Sequence, residues 1–181
     1  FFYQKLSKPL VTLIEWVRSL QNTKSDLPPP TLYRDDELGQ LAKTFHTLWK
    51  EREAAAVQLN QLAYYDSLTG LANRSLLLQM LKDSIEEANT NNQAGALFYL
   101  DLDRFKVVND SLGHHAGDLL LKLIARELTA IVRSKDTVAR LGGDEFVILI
   151  EDLDSNNEAY EIATQNRLVL HRKILVLRFF Y

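Results

Sequence analysis

The sequence predicts an α+β domain on a largely antiparallel sheet, incomplete at its C-terminus and preceded by a parallel two-helix coiled coil. Three observations carry that prediction. Apolar residues fall in heptad-like seams over the first third of the chain, interrupted by one proline-bearing connector. From Asp66 the texture changes to helix, short buried strand, helix, and then two strands joined through Gly142-Gly143.

The first seam runs Leu6, Leu10, Leu13, Val17, Leu20, an alternation of four and three that marks one helical face. Pro9 is tolerable because it lies in the first turns. The connector QNTKSDLPPPTLYR, residues 21 to 34, breaks the pattern with three prolines. Asp35, Asp36 and Glu37 then favour a helix N-terminus. The second seam is Leu38, Leu41, Phe45, Leu48, Arg52, Ala55, Leu59, Leu62, with Arg52 its one polar member. A connector of about 14 residues reaches up to about 46 Å, beyond the roughly 22 Å of the first helix, so the two helices can run parallel. Narrow seams on short helices bury little alone, which points to pairing with a second copy as a four-helix bundle.

In the second part, DSLTGLANR is rich in turn and cap residues. A helix is expected from about Ser75 to Ala88, and NTNNQAG reads as a loop. ALFYLDLD, residues 96 to 103, is a buried strand ending in acids. Residues 117 to 133 form an amphipathic helix, and TVAR and EFVILI are strands. Glycine suits the tight turn between them because it accepts positive φ.

Composition narrows the function. With 21 basic and 24 acidic residues the net charge is −3, which argues against general nucleic-acid binding. No cysteine is present, so disulfides and thiolate metal sites are excluded. Lys5, Lys8, Glu15 and Arg18 interrupt the only N-terminal stretch long enough to suggest a membrane span. The chain opens on Phe1-Phe2-Tyr3 without an initiator methionine and reads as a fragment of a longer protein. Phosphate-loop, dinucleotide and HExxH signatures are absent, and the adjacent His114-His115 lacks the spacing of helix-borne zinc ligands.

Asp101 ends a strand and Asp144 sits in the glycine turn. If those strands neighbour each other, two carboxylates converge at one rim. Without a cation they repel; a divalent ion relieves the strain, and oxygen donors select magnesium or manganese. As solvated turn acids the same residues need no such ion.

RLGGDEF, preceded by DLDRFKVVNDSLGHHAGD and DSLTGLANR, resembles the GGDEF family of diguanylate cyclases over about residues 62 to 164. The resemblance implies a palm-like, nucleotidyl-cyclase (ferredoxin-like) fold that joins two GTP into cyclic di-GMP with release of pyrophosphate. It implies Mg2+ or Mn2+ held by Asp101, Asp144 and the Leu102 carbonyl. Asp144 would also accept the proton of the attacking 3′-hydroxyl, with Glu145 beside it, Lys106 steadying phosphate charge, and Arg140 in the same catalytic group. Gly142 and Gly143 would admit the nucleotide close to the backbone. Asn109, His114 and Asp118 match nucleoside-recognition positions, where an aspartate can accept from both N1 and the 2-amino group of guanine. Arg133 and Asp136 match a site that takes cyclic di-GMP as feedback inhibitor.

SKPL and the later P…DELGQLA resemble a HAMP signal-relay module over about residues 3 to 56. The resulting division is 1–56 HAMP-like, 57–65 helical linker and 66–181 partial GGDEF domain, whose tail from about 165 does not match the family. The implied protein is a homodimer, the cytoplasmic portion of a membrane-associated bacterial signalling protein at the inner membrane, with an upstream sensor outside this chain. The tail TQNRLVLHRKILVLRFFY replaces the family's later strands and basic helix. On that reading the strands at 96–103 and 145–150 are left with unpaired neighbours, and ILVLRFF in the tail either adds one strand or is a non-native, aggregation-promoting segment. The alternative function is a domain without turnover that binds cyclic di-GMP or dimerises.

Overall fold

The computed structural model describes residues 7–22, 34–91, 93–153 and 172–179, with the backbone alone at 19–22 and 172–179. The chain divides into two compact units, Phe1–Leu59 and Asn60–Tyr181.

In the first unit, α1 spans Lys8–Asn22 and α2 begins at Glu37, continuing to Tyr64. The helix start is built as the acidic cluster predicts. Asp36 Oδ1 accepts from the Gly39 amide at 3.1 Å, and the Asp36 carboxylate pairs with Arg34. That Arg34 contact, helped by the Gly39 bond, brings the Asp36 carboxyl down to about 2 against the opposing cost of desolvation. Gly39 is required for packing: a Cβ there would stand 2.0 Å from the Arg34 carbonyl oxygen. Because that neighbour is backbone, Gly39→Ala should cost about 1–3 kcal/mol, read as earlier loss of helical circular dichroism on heating.

The small core of this unit is Leu13, Trp16 and Ala42, with Val17 and Phe45 against it. Trp16 meets Phe45 edge-on, with ring centroids 5.9 Å apart. Leu13, Val17 and Phe45 are predicted seam positions, whereas Trp16 and Ala42 lie outside the seams, so the contact face coincides with them in part. Leu10, Leu41, Leu48, Leu59 and Leu62, all seam positions, are exposed in the single chain. Leu6 lies outside the described residues, as does the side chain of Leu20.

The second unit carries α3 (Arg74–Asn91), β1 (Ala94–Leu102), α4 (Phe105–Leu112), α5 (His114–Ile131), β2 (Thr137–Gly142), β3 (Glu145–Leu153) and β4 (Arg172–Phe179). Its sheet is antiparallel in the order β2-β3-β1-β4. Side chains alternate along each strand. Ala96, Phe98, Leu100 and Leu102 of β1 join Phe146, Ile148 and Ile150 of β3 beneath Leu121, Ile124 and Leu128 of α5. On the opposite face Leu97 and Tyr99 join Val147, Leu149 and Ala139 beneath Leu77 of α3.

One expectation is corrected. β1 is flanked by β3 and β4, and β3 by β2 and β1, so neither strand is left unpaired. The tail supplies the missing neighbour: residues 172–179 pair with β1 in continuous register from Leu102↔Arg172 to Gly95↔Phe179. Helix α4, which carries Asn109 and Asp110, is not among the elements read from the sequence. The chain turns at Arg104, with φ 61°, and at Gly113, with φ 85°.

Candidate active site

β1 ends and β3 begins at the same rim of the sheet. The register places Asp101 directly across from Glu145. Gly142 pairs with Glu145, so Gly143 and Asp144 form the two-residue turn between β2 and β3. Gly142 and Gly143 have φ of 142° and 54°, and nothing lies within 4 Å of where either Cβ would stand. Backbone conformation demands glycine there, and the turn is open on that side.

Asp101 is exposed, and Asp144 and Glu145 are half-buried. The neighbouring Glu145 carboxylate, with burial and the negative charge of Asp101, pushes the Tyr99 phenol up to about 12 against the opposing charge of Arg74. Among the described residues no three His, Cys, Asp or Glu side chains cluster as a metal site. The ligand set implied by the sequence needs only two carboxylates and a backbone carbonyl, all hard oxygen donors, and it fits a magnesium-type ion.

Arg140, expected in the catalytic group, is committed elsewhere. Its Nη1 donates to Asp66 Oδ1 and Oδ2 at 2.9 and 3.0 Å, while Nε and Nη2 donate to the Gly143 carbonyl at 3.0 and 2.7 Å. It therefore ties the turn to Asp66. Asp66 also accepts from the Thr69 amide and hydroxyl at 2.9 and 2.6 Å. Burial pushes the Asp66 carboxyl up, but the Thr69 and Arg140 contacts outweigh it and hold the group below its ordinary value. Asn73 completes the join, donating through Nδ2 to the Ala63 carbonyl at 2.9 Å near the end of α2. Sequence reasoning took Asp66 and Asn73 for turn residues and did not see that they tie α2 to the glycine turn.

Lys106 is exposed on α4, and His114 and Asp118 are exposed near the start of α5. Asn109 is half-buried against α5: its Oδ1 lies 2.0 Å from where a Cβ on Gly117 would be. Gly117 thus lets α4 and α5 approach at Asn109.

Arg133 and Asp136 form a pair at the other end of the sheet. Arg133 Nε and Nη2 donate to Asp136 at 3.0 and 3.1 Å, and Nη2 also donates to the Glu151 carbonyl at 2.8 Å. The Asp136 side chain is only 2% exposed, against 37% for Arg133. Asp136 is the orienting member and Arg133 the accessible one. Both line a pocket of about 390 Å³ with Tyr65, Leu76 and Met80.

A family model described as diguanylate cyclase, GGDEF domain, matches residues 63–175, farther than the motifs alone suggest. The chain is 53% identical over 94 residues to the bifunctional diguanylate cyclase/cyclic di-GMP phosphodiesterase MucR of Pseudomonas aeruginosa, covering 52% of this chain and 14% of that protein. It is 40% identical over 134 residues to diguanylate cyclase TpbB of the same organism, covering 70% of this chain and 31% of the other. Each match therefore spans less than a third of the relative's length. Among solved structures, a microbial GGDEF domain described with bis-(3,5)-cyclic di-GMP is similar at 30% identity and TM-score 0.57, covering 65% of this chain and 76% of that one. Among the described residues no helix is long and apolar enough to cross a membrane.

Proposed function

This chain belongs to the GGDEF domain family of diguanylate cyclases, and on that premise we propose that it condenses two GTP into cyclic di-GMP with release of two pyrophosphates. The observation that carries the proposal is the register that sets Asp101 across from Glu145, with Asp144 in the adjoining turn. Asp101, Asp144 and the Leu102 carbonyl would hold Mg2+ or Mn2+. Bound there, the ion supplies charge neutralisation and polarisation at the transferring phosphoryl group.

The chain's own residues do the rest. Asp144 accepts the proton of the attacking 3′-hydroxyl, Lys106 steadies phosphate charge, and Asn109, His114 and Asp118 hold the guanine. The open glycine turn admits the nucleotide to the backbone. One domain holds one GTP, so two copies must face each other. The exposed seam leucines of α2, Leu41, Leu48, Leu59 and Leu62, offer a surface on which a HAMP-like relay can pair them.

A second reading, a cyclic di-GMP-binding domain without turnover, is favoured by Arg133 beside its pocket. One experiment separates the two. Purified protein incubated with GTP and Mg2+ is expected to release pyrophosphate and yield cyclic di-GMP by chromatography. Intact GTP together with calorimetric binding of cyclic di-GMP would overturn the first reading in favour of the second.

A further inference from the structure

Arg52 is the one polar member of the α2 seam. It stands where the helix is barest: every residue from Glu51 to Ala63 is exposed, Leu59 at 67%. A helical stretch of so few turns without a neighbour is marginal in water, so this part of α2 needs a cover. A second copy of the chain carries the matching pattern, because a seven-residue repeat presents the same stripe from both helices.

The repeat also says where charge falls. With Phe45, Arg52 and Leu59 at position a and Leu48 and Ala55 at position d, the g positions are Thr44, Glu51 and Gln58. The e positions are Ala42, Trp49 and Ala56, which leaves Glu51 as the only charge flanking the seam from Ala42 to Leu59. In a parallel, in-register pair a side chain at a enters a hole formed by the facing residues at the preceding d and g, the same a and the following d. For Arg52 these are Leu48, Glu51, Arg52 and Ala55 of the second copy. The small Ala55 leaves room for the guanidinium to turn toward Glu51, and the two-fold axis repeats the contact.

Neither residue is engaged within its own chain. Three and four positions from Arg52 stand Leu48, Trp49, Ala55 and Ala56, with no acid among them. Among the described residues neither Arg52 nor Glu51 makes an ion pair. Chain order sets the direction, since the GGDEF domain follows α2 in both copies and two such domains meet only if the helices run the same way.

We propose that α2 pairs with α2 of a second copy as a parallel, in-register coiled coil whose alignment is set by Arg52 of each copy against Glu51 of the other. The proposal rests on the pairing of two copies stated above and adds its polar layer. A charged residue at a single a position lowers the stability of such a coil and in exchange specifies its register.

Sedimentation velocity of the full chain at low salt, over a concentration series, reads the layer. Arg52→Glu sets four acids together and should weaken dimerisation at least about tenfold, and Glu51→Arg should do the same with four bases. Mixed in equal amounts, the two single variants should dimerise about as tightly as wild type, which also shows that both are folded. The Glu51→Arg, Arg52→Glu double variant should pair with itself and not with wild type. Register is read by disulfide trapping, because the chain has no cysteine of its own. Ala55→Cys, on the seam, should cross-link between copies on mild oxidation, and Ala54→Cys, on the outer face, should not. An Arg52→Glu protein that dimerises like wild type, or single variants that fail to rescue each other, overturns the polar layer. A wild-type dimer whose Ala55→Cys form does not cross-link overturns the parallel register. Wild-type protein that stays monomeric at every concentration overturns the pairing itself. A dimer with every charge response intact upholds the layer whether or not GTP turns over, so its failure and that of the proposed reaction are told apart.

Discussion

Asp144→Ala should lower cyclic di-GMP formation by at least about 1,000-fold while leaving thermal stability close to wild type. The separation follows from where Asp144 sits. It is half-buried in the two-residue turn between β2 and β3, and it belongs to neither apolar cluster of the sheet. Removing it costs the core nothing, yet it removes the group proposed both to ligate the cation and to take the 3′-hydroxyl proton. Asp144→Asn keeps the shape and loses the charge, so it should be nearly as inactive. Asp144→Glu restores a carboxylate one methylene further out and should recover part of the rate. Pyrophosphate release and chromatography of the product check all three, with circular dichroism to confirm folding. Alanine and wild-type proteins turning over GTP equally would remove Asp144 from the chemistry.

Local pattern made much of the second unit readable. The helix expected over about 75 to 88 is α3, the apolar run at 96 to 103 is β1, and the Gly-Gly turn joins β2 and β3 in the predicted hairpin. Each is announced by residues adjacent in the chain, where period and turn chemistry act directly. Helix α4 was hidden because its 8 residues are too few for a helical period to show in the sequence. What decides for helix is Gly117 on α5, which opens the space that Asn109 fills. In the first unit the heptads located the helices and part of their contact face, since Leu13, Val17 and Phe45 are seam positions while Trp16 and Ala42 pack beside them off the seam. The pairing of β4 with β1 was equally out of reach, because register between distant strands is set by the assembled sheet. The candidate site divides the same way. Its acids could be picked from motifs, whereas the pairing of Asp101 with Glu145 exists only once β1 and β3 are in register.

Arg140 is the sharpest case, since its partner Asp66 is 74 positions away. Replacing it with alanine should have the largest effect on stability. The two side chains are 10% and 18% exposed, so the pair is largely shielded from solvent. Breaking a fully buried pair costs about 3–5 kcal/mol; with this exposure about 2–3 is expected, or roughly 8–15 °C in Tm. The pH dependence has a definite sign. Asp66 is held below its ordinary value, so its contribution is complete above the unfolded carboxylate value of about 3.9 and is lost as pH falls through the folded one. The gap between wild type and Arg140→Ala should therefore be constant near neutrality and shrink in acid. Arg140→Lys cannot reach Asp66 and the Gly143 carbonyl together, because one ammonium replaces a planar fork, and it should fall between the two. Turnover should drop as well, by roughly 100-fold, since the Gly143 carbonyl that Arg140 grips precedes Asp144 by one peptide bond. If the alanine variant melts and reacts like wild type, the tie from α2 through Asp66 to the turn bears no strain, and a signal arriving along that helix has no route through Arg140.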